Sequence, residues 1–254
     1  MKHLFTAEGQ AALAATMALR PLLAFDFDGT LAPIVKRPAD AHVPVAVSRR
    51  LDRLAQILPL AIVTGRSVDD VRKRLTFQPH FVLGNHGAED SSALAPAGLS
   101  EVFDPLRSRL RERAADLQAA GVTVEDKQHS LALHFRLARD RDAAADLIAG
   151  LVANLGAGLI AYGGKLVVNV VAQAAPDKAQ AVAGLVEKCA ARAAVFVGDD
   201  VNDEPVFARD EPSWLTIRVG RDDPNTRAKF CLDRPGEIAT LLERMLELLG
   251  AVSK

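Results

Sequence analysis

The sequence predicts an α/β protein, a largely parallel sheet covered on both faces by helices, with a smaller αββαββ domain inserted into it. Three observations carry that prediction. Short uninterrupted apolar runs alternate with helix-like segments near both ends of the chain, as expected for strands buried on both faces. The middle of the chain has a different rhythm, with strands in pairs. Four of the apolar runs also end abruptly in Asp, Thr, Asn or Gly, and open α/β sheets bind ligands beyond the carboxyl ends of their strands.

The elements follow in order. The opening "MKHLFTAEGQAALAATMALRPLL" suits a short amphipathic helix, because Glu8, Gln10 and Arg20 interrupt any signal-peptide core. Residues 22–26 (LLAFD) form a strand and 45–58 an amphipathic helix. A strand at 60–63 (LAIV), a helix at 67–75 and a strand at 81–84 (FVLG) come next. "DSSALAPAGLS" (90–100) is a loop by composition. A helix at 101–120 leads to strands at 122–127 and 130–136, where Leu131, Leu133 and Phe135 alternate. A helix at 140–154 and strands at 158–162 and 165–171 complete this middle region. The apolar pattern then resumes with helix 177–190, strand 194–198 (AVFVG), helix 203–208, strand 214–219 and helix 235–249. A core of residues 1–87 plus 175–254 and an inserted domain of 88–174 are expected, and a cleft between two domains is a usual ligand site.

Composition narrows the function. The chain has 254 residues, about half of them apolar, and a net charge of −1. No basic face on the scale of nucleic-acid binding is evident, and scarce aromatics argue against base stacking. No run approaches the ~20 apolar residues of a spanning helix. Cys189 and Cys231 lack metal-ligand spacing and suggest reduced thiols in a cytoplasm. "GAGLIA" (156–161) follows a helix and leads into a strand, the wrong order for dinucleotide binding, and no phosphate-loop motif G-x-x-x-x-G-K-[ST] is present.

The strand ends hold the chemistry. They read Asp26-Phe27-Asp28-Gly29-Thr30, Thr64-Gly65-Arg66, Gly84-Asn85-His86-Gly87 and Gly198-Asp199-Asp200-Val201-Asn202-Asp203-Glu204. Asp26 and Asp28, spaced i, i+2, are expected to point to the same side. With Asp199, Asp200, Asp203 and Glu204 they place six potential negative charges at one edge, more than Lys178 and Arg66 can balance. Like charges ~4 Å apart repel by ~4 kcal/mol at an effective dielectric of ~20. A hard divalent cation such as Mg²⁺ answers that need. A calcium loop does not fit, because its glycine and glutamate positions, counted from Asp26, fall on Leu31 and Arg37.

In this order "DFDGT", "VTGR", Lys178 and "GDDVND" resemble the haloacid dehalogenase superfamily of phosphatases. The resemblance implies a Rossmann-like core in which Asp26 is the nucleophile and Asp28 the general acid and base. Thr64 and Lys178 would hold the phosphoryl oxygens. Mg²⁺ would be held by Asp26, the main-chain carbonyl of Asp28 and Asp199, with Asp200 and Asp203 supporting from behind, Asp203 by orienting Lys178 or a metal-bound water.

Within that superfamily "DFDGTLAPI", "GNHGAE", "VEDKQHSLALHFR", "GGKLVV" and "GDDVNDE" are most similar to trehalose-6-phosphate phosphatases, and the insertion resembles their cap. This implies an Mg²⁺-dependent phosphatase acting on a phosphosugar, trehalose 6-phosphate, through an aspartyl-phosphate. Glu89, Lys127, Ser130, His134, Arg136 and Lys165 become sugar-facing candidates, and Arg66, Asn85, His86 and Asn169 further substrate contacts. Two positions depart from the family. Asn169 stands where a glutamate is usual, and Ala179 follows Lys178 where a glycine is usual. The alternatives are a phosphatase of another phosphosugar or glycosyl-phosphoglycerate, and a non-catalytic domain that binds a sugar phosphate.

Overall fold

The computed structural model describes residues 1–35, 37–91, 100–164 and 166–250. The chain divides into two compact units, residues 1–93 with 176–254, and residues 94–175. In chain order the first unit opens with β1 (Lys2–His3), α1 (Ala7–Ala18), β2 (Leu22–Phe25), α2 (Val45–Ala55), β3 (Leu60–Val63), α3 (Val68–Arg72), β4 (Phe81–Gly84) and β5 (Glu89–Asp90). The second unit contains α4 (Asp104–Glu112), α5 (Ala114–Ala119), β6 (Thr123–Asp126), β7 (Ser130–His134), α6 (Arg141–Val152), β8 (Leu159–Gly164) and β9 (Val167–Ala172). The first unit is completed by α7 (Lys178–Lys188), β10 (Ala194–Gly198), α8 (Glu204–Phe207), β11 (Trp214–Val219), β12 (Phe230–Leu232) and α9 (Ile238–Leu248).

The first unit is built on one sheet in the order β1-β12-β11-β10-β2-β3-β4-β5. All its pairings are parallel except β5 on β4. Strand alternation splits the core in two. Leu23, Phe25, Leu60, Ile62, Val195 and Val197 join a cluster with Leu13, Leu51 and Leu242. Leu22, Ala24, Ala61, Val63 and Phe196 join another with Val182, Leu185 and Phe207. Helices α1, α2 and α9 therefore cover one face, and α7 and α8 the other, which is why the central strands β2 (LLAF) and β3 (LAIV) are apolar at every position.

The order of strands sets the position of the site. β2 pairs with β3 on one side and with the late strand β10 on the other. The chain reverses direction across the sheet at this pair, and such a switch point leaves a crevice outside the carboxyl ends of the two strands.

The second unit is a four-stranded antiparallel sheet in the order β6-β7-β9-β8. Its buried apolar residues come from α4, α5 and α6 (Leu106, Leu110, Leu117, Ile148, Leu151) and from Leu131, Leu133 and Val170 on the strands. The expected single helix over 101–120 is a turn followed by two helices that break at Arg113 (φ −102°, ψ 17°). Three short strands, β1, β5 and β12, are additions to the predicted set. Glu89 and Asp90, expected in the insertion, form β5 on the first sheet. Among the described residues no helix is long and apolar enough to cross a membrane.

Candidate active site

Asp26 follows β2 directly and Asp199 follows β10, so two adjacent parallel strands deliver them to the switch point. Phe25 is in register with Val197, and the Asp26 N–H donates to the Val197 carbonyl at 2.8 Å. Neighbouring strands lie about 4.8 Å apart, so side chains leaving them at the same level must meet. One carboxylate oxygen from each of Asp26, Asp199 and Asp203 lies within 4.8 Å of the others, and all three residues are buried.

Lys178 is the cation of this group. It is the first residue of α7, whose start is fixed by a capping box between Asp177 and Gln180. Its Nζ donates to Asp26 Oδ1 and to Asp203 Oδ1, each at 2.7 Å, with the lysine side chain 3% exposed. Burial drives the Asp26 carboxyl well above the usual carboxylate range; Lys178 pulls it back, while Asp203 and Asp199 add to the rise. Burial alone would also ease proton loss from Lys178, but Asp203 and Asp26 outweigh it and raise the ammonium pKa.

The other oxygen of Asp203 accepts the backbone N–H groups of Asp199 (2.9 Å) and Asp200 (3.0 Å). Three donors thus hold Asp203, which orients Lys178 and the Asp199 loop. Asp200 caps the short turn Val201–Asp203 reciprocally and accepts from Asn202 Nδ2 at 3.2 Å.

The six carboxylates expected to crowd one edge are instead divided among several cations. Glu204 turns away, accepting from Arg218 Nη1 (3.2 Å) and the Arg227 N–H (2.9 Å). Asp28 faces Arg66, whose Nε and Nη2 donate to its two oxygens at 2.6 and 2.7 Å. The strand ends at Phe25, so the i, i+2 alternation expected of Asp26 and Asp28 does not extend to Asp28. Burying an unpaired carboxylate costs several kcal/mol; Arg218 offsets that for Glu204, while Asp28 keeps contact with water beside Arg66.

The loops after β3 and β4 are tied together. Thr64 is buried, and its hydroxyl accepts the Arg66 N–H at 3.1 Å. Asn85 and His86 both have positive φ (50° and 61°), and their N–H groups donate to the carbonyls of Arg66 and Thr64. Glu89, expected to face a sugar, accepts from the Val68 N–H (3.0 Å) and Asn85 Nδ2 (2.9 Å). In this structure it joins the start of α3 to the Asn85 loop.

In the second unit the register aligns Glu125, Ala132, Asn169 and Tyr162 in one row across all four strands. Ser130 and His134, two residues either side of Ala132, share that face. Glu125 accepts from His134 Nε2 at 2.9 Å and pairs with Lys127 Nζ at 3.5 Å. The His134 bond holds the Glu125 carboxyl below its usual range; burial opposes this and Lys127 reinforces it. Glu125 and Tyr162 were not among the sequence candidates, although strand alternation puts Glu125 on the same side as Lys127. Arg136 lies exposed beyond β7, and Lys165 falls outside the described residues.

The donor set suits a hard cation: three buried carboxylates with oxygen ligands within reach of one another, two of them bonded to the Lys178 ammonium. Gly29 keeps the space beside it open. At φ +83° a Cβ on Gly29 would lie 2.2 Å from Asp199 Oδ2. Gly29→Ala is therefore expected to displace Asp199 and to weaken the affinity of this oxygen cluster for a divalent cation by at least ~10-fold. Calorimetric titration of the two proteins with Mg²⁺ checks this, and equal affinity would contradict it.

The parallel sheet, its switch point and the acidic strand ends define the haloacid dehalogenase fold. The chain belongs to the trehalose-phosphatase family, whose model matches residues 24–219. A trehalose-phosphate phosphatase of Mycobacterium marinum is 31% identical over 92% of this chain and 63% of its own length. A Mycobacterium tuberculosis protein described as an uncharacterized glycosyl hydrolase is 32% identical over 89% of this chain and 18% of its own. The chain thus spans under two thirds of the length of these curated relatives. The solved C-terminal domain of Candida albicans trehalose-6-phosphate phosphatase has the same fold, with a TM-score of 0.76 over 96% of this chain and 97% of that one at 22% identity.

Proposed function

We propose that this chain hydrolyses trehalose 6-phosphate to trehalose and inorganic phosphate. The observation that carries the reading is the buried Asp26–Lys178–Asp203 group beside Asp199 at the switch point, in a chain of this family.

An Asp26 oxygen attacks phosphorus, the bond from phosphorus to the sugar oxygen breaks, and an aspartyl-phosphate results. Lys178 and the Thr64 hydroxyl hold the phosphoryl oxygens, since phosphoryl transfer asks mainly for positioning and charge neutralisation. Asp28 gives its proton to the departing sugar oxygen, then takes one from the water that attacks phosphorus and frees Asp26. Asp26, Asp199 and the main-chain carbonyl of Asp28 would hold Mg²⁺, which supplies charge that keeps Asp26 ionised and offsets its repulsion from phosphate. Asp203 and Asp200 keep Lys178 and the Asp199 loop in place. Glu125, Lys127, Ser130, His134 and Asn169, with Arg136 and Lys165, offer donors and acceptors to the sugar hydroxyls.

A second reading, a phosphatase of another phosphosugar, is favoured by Asn169, which keeps hydrogen bonds but loses the usual glutamate charge. Phosphate release across trehalose 6-phosphate, sucrose 6-phosphate, glucose 6-phosphate and glucosyl-phosphoglycerate, with Mg²⁺ or with chelator, separates the possibilities. The expected result is Mg²⁺-dependent release with kcat/KM for trehalose 6-phosphate at least ~100-fold above glucose 6-phosphate. Preference for another substrate establishes the second reading, and no release from any of them overturns both.

A further inference from the structure

Beyond the nucleophile and its cation lies a four-membered chain of alternating charge, Asp28, Arg66, Asp70 and Arg74. Arg66 grips Asp28 with Nε and Nη2, and its Nη1 donates to Asp70 Oδ2 at 2.7 Å. Asp70 in turn accepts from Arg74 through both oxygens, Nη2 to Oδ1 at 2.6 Å and Nε to Oδ2 at 3.0 Å. Arg74 Nη1 donates to the Ala39 carbonyl at 2.6 Å and the Ala41 carbonyl at 3.4 Å. Asp70 and Arg74 are four apart across α3 and the turn after it, which puts them on one side, and Arg66 reaches Asp70 from just before the helix.

We propose that Asp70 is a positioning residue for the proton transfer made by Asp28, an inference that rests on the reading of Asp28 as general acid. The argument is geometric. Arg66 lies just before the Ser67 cap of α3, and by itself its long side chain would follow whichever anion was nearest. Asp70 sits in the first turn of α3 and is itself clamped by Arg74, so it holds the far edge of the Arg66 guanidinium. The Phe27 ring, 5.3 Å from Arg66 Cζ, packs against the same group. The guanidinium plane is then fixed on two edges and one face.

That plane decides where the Asp28 oxygens point. Asp28 keeps its side chain 44% exposed while Arg66 is only 11% exposed, so a buried clamp holds a carboxyl that can still reach a substrate. As Asp28 swings one oxygen to the leaving group, a fixed Arg66 retains the other. An arginine released from Asp70 would move with Asp28, and the proton would be delivered from a wider range of angles.

The test uses leaving groups. A sugar alkoxide must be protonated as it departs, whereas p-nitrophenolate needs no proton. Asp70→Ala and Asp70→Asn are assayed on trehalose 6-phosphate and p-nitrophenyl phosphate, with Asp28→Asn as reference and thermal unfolding as the check on folding. The comparison is made on kcat/KM, which covers the steps through departure of the leaving group and excludes hydrolysis of the aspartyl-phosphate, where Asp28 serves both substrates as base. For Asp70→Ala the expected result is a fall of about tenfold in kcat/KM on trehalose 6-phosphate, with the value for p-nitrophenyl phosphate nearly intact. Asp70→Asn, which keeps one acceptor oxygen, is expected to fall between it and the parent. Equal losses on both substrates, or none, in a folded Asp70 variant overturn the inference. If Asp28→Asn itself shows no difference between the substrates, the reading of Asp28 fails instead.

Discussion

Asp26→Asn is expected to reduce turnover by on the order of 10⁴-fold or more, while the metal-free protein stays at least as stable as its parent. Loss of activity follows from the chemistry, since an amide cannot open the reaction by attack on phosphorus. The stability follows from the surroundings. In the metal-free protein the Lys178 ammonium bonds Asp26 and Asp203, an Asp199 oxygen lies within 4.8 Å of an oxygen of each, and burial already disfavours the ionised form of Asp26. Asparagine keeps an oxygen for Lys178 to bond, removes one of three crowded charges and leaves the Lys178–Asp203 pair intact. Phosphate release and thermal unfolding in chelator measure the two effects. Retained activity would remove Asp26 as nucleophile, and a large fall in melting temperature would mean its charge is needed for folding.

Much of this arrangement was legible in the sequence because a parallel strand buried on both faces is apolar until it ends. "LLAF" stops at Asp26 and "AVFVG" at Asp199, so the strand ends could be read directly. What could not be read is which distant group each carboxylate would meet. Asp28 and Arg66 are joined across 38 positions, and Lys178 and Asp26 across 152. Those pairings depend on the sheet order β10-β2-β3, which no local pattern encodes. Glu89 and Glu204 show the same limit: both looked available for a ligand, and both are committed to groups on neighbouring loops. Strands of two or three residues such as β1 and β12 are too short for alternation to register, and they exist because the edge of β11 accepts β12 and β12 in turn accepts β1. Nothing in the composition around Arg113 marks the break between α4 and α5.

Lys178→Met is expected to cost about 3–5 kcal/mol of stability, because it leaves buried carboxylates facing each other without their cation. Methionine fills similar volume, so the loss measures charge rather than packing. Asp203 is fully buried and Asp26 nearly so, which denies them water as a substitute partner. Turnover should fall as well, since a holder of the phosphoryl oxygens is lost. The two consequences can be pulled apart by adding Asp203→Asn. Its side-chain oxygen can still accept the Asp199 and Asp200 N–H groups, while its amide replaces the charge that Lys178 used to meet. Denaturant unfolding should show the double variant recovering part of the lost stability, and phosphate release should show no recovery of turnover. A single Lys178→Met variant within about 1 kcal/mol of the parent would mean that the pair contributes little to folding, and that burial of this group is sustained by something other than the lysine.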